Sequence, residues 1–252
     1  MVKYVNNRDV LISLTKYEFK IRYRGTFLGL IWSFLAPLLL ALVLYFVFRN
    51  LFGWVENFAA YVIVGVFVFR FFSVATSVGM GSLLSRQNLV TKTNVERKLI
   101  PLSTTLSYGL SSFIEILILI PILHALGVKF SIFILLLPIV HIVNVLFIFA
   151  INLFLSAMMV YFRDLNQIWD VVLNIIFFAS PVVYPLAIIP EPYHDLYMLN
   201  PIACFIELYR SCLVYGSFSI NQLIYVIFLT FILLTIGHIF FNTLQRRFGE
   251  VL

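Results

Sequence analysis

The chain has 252 residues, of which 62% are hydrophobic and only 11% charged, with a mean hydropathy of +1.05 and a formal net charge of +6. An average soluble domain carries about 25% charged residues, so this chain lacks the polar surface to face water on all sides. Its apolar stretches reach the roughly 20 residues that a helix needs to cross a bilayer, and none alternates as barrel strands do, which excludes a soluble domain and an outer-membrane barrel.

The expected fold is therefore an all-α polytopic membrane protein. Six transmembrane helices are predicted, at roughly 27–51, 59–83, 104–126, 131–160, 168–187 and 220–243. A charged segment, residues 1–24, comes before them, and no small-residue cleavage site closes the first span, so a signal peptide is not expected. Within that segment residues 8–24, RDVLISLTKYEFKIRYR, are too charged to span. Val10, Leu14, Tyr17 and Ile21 share one helical face beside Asp9, Ser13, Lys16 and Lys20, and Glu18 stands in the favourable i,i+4 order to Arg22. The pattern predicts a basic amphipathic helix in the membrane interface, with a solvated tail as the alternative.

Polar residues inside the spans are costly, so they are functional or paired by default. In the second span Arg70, Ser73, Ser77 and Gly81 share a face, and in the third Ser103, Ser107, Ser111 and Glu115 do. Small residues at such spacing let helices approach closely in lipid. Arg70 and Glu115 lie at matched depth on antiparallel helices, which predicts an intramembrane ion pair. The rival reading places Arg70 alone on a water-filled path. The fourth span carries His141, Asn144, Asn152 and Ser156 on a stripe best explained by packing. In the fifth, Asp170, Asn174, Phe177, Pro181 and Tyr184 form one face that grades from polar to aromatic. It suits a hydrated sugar path, and interhelical hydrogen bonding explains it about as well.

The connection 188–219 opens with Pro190, Pro192, His194 and Asp195, then turns at Asn200-Pro201 into an apolar run, 202–215, closed by Gly216. Asn before the helix, Pro at its first turn and Gly past its end are boundary signals, and about 14 residues are too few to cross. The segment is expected to dip in from the outer side or lie along it. Cys204 and Cys212, if on one helix, stand about 12 Å apart along its axis, beyond disulfide reach.

Basic residues orient the helices. Lys3, Arg8, Lys16, Lys20, Arg22 and Arg24, then Arg86, Lys92, Arg97 and Lys98, then Arg163, and finally Arg246 and Arg247 fall on one side. Only Arg49, Lys129 and Arg210 fall on the other, so both termini are expected in the cytoplasm. The positive charge is a topology signal, and no nucleic-acid partner is expected. No metal-ligand spacing, P-loop or aspartate-rich loop appears, so catalytic residues, a metal and a cofactor bound by this chain are not expected.

Two stretches carry a family resemblance. Residues 20–37, KIRYRGTFLGLIWSFLAP, and residues 161–190, YFRDLNQIWDVVLNIIFFASPVVYPLAIIP, with Leu199-Asn200-Pro201 and Tyr209-Arg210 after them, resemble the ABC-2 type permeases that export polysaccharides or polyol phosphates. Residues 94–101, NVERKLIP, depart from the aromatic-Pro-Arg run usual in that family. The resemblance implies a single transmembrane domain over 1–252 and a working unit of two permease chains with two P-loop ATPase subunits, which hold ATP and Mg. It implies that the 8–24 helix and a coupling segment at 85–100, with Arg86, Lys92, Glu96, Arg97 and Lys98, rest on the ATPase. It further implies short re-entrant helices in 188–219 and a substrate polymer on a polyprenyl-pyrophosphate lipid in the bacterial cytoplasmic (inner) membrane. The basic cluster Lys20, Arg22 and Arg24 suits the pyrophosphate, and serves equally as a membrane anchor. The expected translocation path runs along Asp170, Asn174, Phe177 and Tyr184. Export of O-antigen is the leading expectation, export of teichoic acid or of a smaller lipid or drug the alternative, and a membrane enzyme of envelope glycan synthesis the less favoured one.

Overall fold

The computed structural model describes residues 6–24, 29–93 and 95–251; Lys3, the first residues of the 27–51 span and Asn94 lie outside them. Helix α1, Asn7–Tyr23, starts where the Asn6 side chain accepts from the Arg8 N–H at 3.1 Å. It runs alongside the first half of a later helix, α5. Helix α2, Leu30–Phe52, contains Pro37 and packs mainly on α3, Phe58–Ser85. Helix α3 is the centre of the bundle. It meets α2, α5, α6, α7 and α9, and most of its residues are buried. A short helix α4, Gln87–Lys92, follows it and leads to α5, Leu99–Ala125.

A 3-10 turn, Ile132–Leu136, capped by Ser131, feeds α6, Leu137–Tyr161. Helix α7, Leu165–Phe178, is followed by a non-helical stretch, the four-residue α8, His194–Tyr197, and α9, Pro201–Arg210. A π turn, Ser211–Tyr215, ends at Gly216 with φ of 69°, the left-handed conformation that glycine adopts without strain. Helix α10, Ile220–Leu244, packs along α6, and α11, Phe248–Val251, returns across the basic end.

Among the described residues, α2, α3, α5, Ile132–Tyr161 and α10 are long and apolar enough to cross a membrane. Helix α7 is not. Its 14 residues span about 21 Å, short of a roughly 30 Å hydrocarbon core, so the continuous helix expected over 168–187 is not formed. The cause is in the sequence. Pro181 has no N–H to continue the ladder and disfavours helical backbone at Ser180. Residues 180–184 instead fold against α3, where the Tyr61 hydroxyl donates to the Tyr184 carbonyl at 2.9 Å.

Polar side chains inside the bundle join helices. Asn152 on α6 donates to the Ala75 carbonyl on α3 at 3.1 Å and to Thr105 Oγ1 on α5 at 2.8 Å. Gly79 makes room for it, since a Cβ there would collide with the Asn152 amide. His141, stacked on Phe71, contacts the Tyr209 hydroxyl at 2.7 Å and the Gly109 carbonyl at 2.9 Å. The fourth-span stripe thus faces protein.

Candidate functional site

A cleft of about 370 Å³ opens between α2, α3 and α7. Arg70 and Ser73 line it from α3, Leu40 from α2, and Asn174, Phe177 and Phe178 from α7. Helix α7 is held to α3 along one edge. Trp169 Nε1 donates to Thr76 Oγ1 at 3.1 Å, Leu173 is buried, and Phe177 meets Phe69 edge-on with ring centroids 5.0 Å apart. The other edge, with Ile168, Val171, Ile175 and Phe178, is exposed.

Of the four residues expected to line a path, Asn174 and Phe177 meet Arg70 in this cleft. Asp170 is exposed one turn away, and its carbonyl accepts from Asn174 Nδ2 at 2.9 Å. Tyr184 departs from the expected face, because the helix that would have carried it ends at Phe178. Its hydroxyl donates to the Phe178 carbonyl at 2.8 Å and lies 2.7 Å from the Tyr197 hydroxyl.

The ion pair expected between Arg70 and Glu115 is not among the ion pairs of the described residues, although each side chain feels the other's charge. The buried Glu115 carboxylate takes a hydrogen bond from Ser33 on α2 and feels the charges of both Arg22 and Arg70. Arg22 is the unexpected third member. Its guanidinium sits 3.6 Å from the Tyr108 ring centroid, and the Tyr23 hydroxyl beside it donates to Ser111 Oγ at 2.9 Å. Lys20 and Arg24, by contrast, are exposed, so the expected basic cluster divides, with one member inside and two outside.

The basic end is tied together by the residues expected to touch a partner. Glu18 on α1 pairs with Arg86 and accepts from Thr104 Oγ1 at 3.0 Å. Glu96 accepts from Asn7 Nδ2 at 3.1 Å and pairs with Lys98 at 3.0 Å. The Arg97 guanidinium donates to the Gln245 carbonyl and lies over the Phe248 ring. Lys92 stays exposed. Helix α1 therefore turns Thr15, Glu18 and Arg22 toward α5. Its apolar edge, Leu14, Tyr17 and Ile21, lines a groove of about 670 Å³ with Arg86 and Leu89.

A hub that sequence reasoning missed lies at the opposite end. Arg210, treated above as a topological marker and as part of the Tyr209-Arg210 resemblance, is fully buried. It donates to the Tyr61 carbonyl at 3.2 and 3.1 Å, to the Val182 carbonyl at 2.9 Å and to Glu207 Oε1 at 2.7 Å, with its guanidinium 3.3 Å from the Tyr61 ring centroid. The signal was present, since Glu207 and Arg210 are an i,i+3 pair of opposite charge inside an apolar run. Among the described residues no cluster of three His, Cys, Asp or Glu could hold a metal ion.

Long apolar helices around a central helix, with an open cleft that carries a mid-helix arginine, describe a multi-pass membrane protein. The chain belongs to the ABC-2 type transporter family, which matches residues 9–214. It is 28% and 29% identical over 246 residues to two proteins called O-antigen export system permease protein RfbA from Klebsiella pneumoniae, covering 97% of this chain and 95% of each of those. It is 31% identical over 211 residues to the protein of that name from Myxococcus xanthus, covering 81% of this chain and 80% of that one. It is the membrane subunit of a transporter.

Proposed function

We propose that this chain is the permease of an ATP-driven exporter that moves lipid-linked polysaccharide such as O-antigen across the bacterial cytoplasmic membrane. The observation that carries the reading is the near full-length similarity to O-antigen export permeases. The cleft supports it, because Arg70, Asn174 and Phe177 supply a charge, an amide and a ring, the groups that meet phosphate, hydroxyls and sugar faces.

In this reading the working unit is two permease chains with two P-loop ATPase subunits, which bind ATP and Mg. Helix α7 and the folded-back 180–184 segment together make the fifth of six crossings, with both termini in the cytoplasm. The buried α9 and its π turn form the re-entrant cap at the outer end. The apolar edge of α1 and the groove beside Arg86 are the surface offered to the interface and the ATPase, with Lys92, Glu96, Arg97 and Lys98 nearby. The lipid pyrophosphate is met first by Lys20 and Arg24, with Arg22 further in. The cleft then closes into a path against the second permease chain.

The test is reconstitution of this chain with a P-loop ATPase subunit of an O-antigen exporter in a host lacking its own O-antigen permease and ATPase. Surface O-antigen that requires both proteins is the expected result. Export of a small lipid or drug without any polymer would replace this substrate assignment with the alternative.

A further inference from the structure

Arg210, Arg86 and Arg22 each have a seat in the bundle. Arg210 donates to Glu207 and to two backbone carbonyls, Arg86 pairs with Glu18, and Arg22 lies on the Tyr108 ring. Arg70 differs. Among the described residues it forms no ion pair and no hydrogen bond, and its nitrogens are not among those enclosed by protein without a partner. Its guanidinium is therefore open to the cleft that it lines. Arg70 lies about 18 Å from the start of α3, near the middle of that 28-residue helix, where an ionisable group is costly and by default functional.

Two more donors stand beside it. Ser73, one turn further along α3, lines the same cleft, and its hydroxyl takes no part in the hydrogen bonds among the described residues. Asn174 lines the cleft from α7, which is held in place by Trp169 on Thr76 and Phe177 on Phe69. Asn174 Nδ2 gives one hydrogen to the Asp170 carbonyl at 2.9 Å and keeps a second. Leu40, Val66 and Phe69 complete the wall with apolar surface, against which a charge is felt more strongly than in water. A sugar hydroxyl in this cleft would leave the guanidinium charge uncompensated. A phosphoryl group brings negative charge and several acceptor oxygens, which a guanidinium can meet with two parallel N–H bonds.

We infer that Arg70, Ser73 and Asn174 form a phosphoryl-binding station midway along the bundle, which takes the diphosphate of the lipid carrier and not the sugars attached to it. Arg70 supplies the charge, and the Ser73 hydroxyl and Asn174 amide supply the further donors. The inference rests on reading the cleft as part of the export path.

The experiment uses the purified full-length chain in phosphatidylcholine nanodiscs, with Lys20→Gln and Arg24→Gln as the background so that the exposed basic pair does not bind the probes. The probes are a short-chain prenyl pyrophosphate, inorganic pyrophosphate and the uncharged prenyl alcohol, and the readout is equilibrium binding to monodisperse protein. Arg70→Gln should weaken pyrophosphate binding about tenfold or more, the scale of a hydrogen bond to a charged group. Ser73→Ala and Asn174→Ala should weaken it by less, and Arg70→Lys should fall between the parent and Arg70→Gln. Lys129→Gln, a cation far from the cleft, should bind as the parent does. The melting temperature of Arg70→Gln should not drop, because the side chain has no protein partner to lose. If that variant is not monodisperse, Arg70→Lys, Ser73→Ala and Asn174→Ala decide.

Binding of the prenyl pyrophosphate that falls along this series, with or without that of inorganic pyrophosphate, supports the inference. A response confined to inorganic pyrophosphate overturns it in favour of a soluble anion, and an equal response of the prenyl alcohol overturns it in favour of the hydrocarbon chain. A flat series, or an equal loss in Lys129→Gln, also overturns it. Polysaccharide export by a chain with a flat series would leave the exporter reading standing, and a graded series in a chain that exports no polymer would overturn that reading alone.

Discussion

Arg210 concentrates more interactions than any other charged side chain described above. Its donors reach two backbone carbonyls on separate segments and the Glu207 carboxylate, with no exposure to solvent. Replacing it with alanine strands Glu207 and two carbonyls in a dry site. Removal of one partner of a buried pair costs about 3–5 kcal/mol, so Arg210→Ala should unfold markedly earlier in a thermal melt of the detergent-solubilised protein. Lysine should not restore the melt, because a point charge cannot reproduce the planar fork. Phe177 makes the opposite case. It packs on Phe69 from the rim of the cleft, so Phe177→Ala should reduce polymer export several-fold while the complex still assembles. Equal loss of assembled complex and export would make it a packing residue only.

At the scale of elements, the short α7 and its broken sequel are the main departure from a simple row of spanning helices. The fold-back brings the Val182 carbonyl so near Gly65 that a Cβ there would collide with it. Gly65→Ala must therefore push residues 180–184 off α3, at a cost of about 1–3 kcal/mol typical of overpacking. A lower melting temperature together with protease sensitivity between 179 and 200 should report it. Gly81, with nothing near its missing Cβ, is the control, and Gly81→Ala should leave the melt unchanged or slightly higher. The element order also fixes which ends lie together. Single cysteines at Lys92 and Arg247 should be labelled from one side of the membrane only, and at Glu56 and His194 from the other. Labelling of position 194 from the Lys92 side would mean that α7 with residues 180–184 does not complete a crossing.

For the whole molecule, the decisive expectation concerns nucleotide. The sequence contains no glycine-rich loop of the kind that cradles ATP phosphates, so the purified chain should neither bind nor hydrolyse ATP. Saturable ATP binding by this chain without a partner would overturn its assignment as the permease half of an exporter. The bundle also leaves wide apolar faces uncovered on α2 and α10, as lipid-facing helices do.

Much of this architecture was legible before any fold was known. Hydropathy placed the five long helices because a roughly 30 Å apolar layer demands about 20 apolar residues whatever surrounds them. Asn200, Pro201 and Gly216 marked the start of α9 and the end of its π turn through local backbone chemistry alone. Arg70 and Asn174 were singled out because polar groups inside a span are rarely idle, and Phe177 because it shares the face of Asn174. Periodicity could not tell which neighbour each helix face would meet. It grouped Tyr184 with Asn174, although Pro181 breaks the helix between them, and it found neither the burial of Arg210 nor the seat of Arg22 on the Tyr108 ring. Only tertiary packing decided that Arg210 is the buried hub, and that Arg70 lines an open cleft. The reason is physical: a span is fixed by the solvent it crosses, whereas the partner of a buried charge is fixed by segments distant in sequence that must come together to neutralise it.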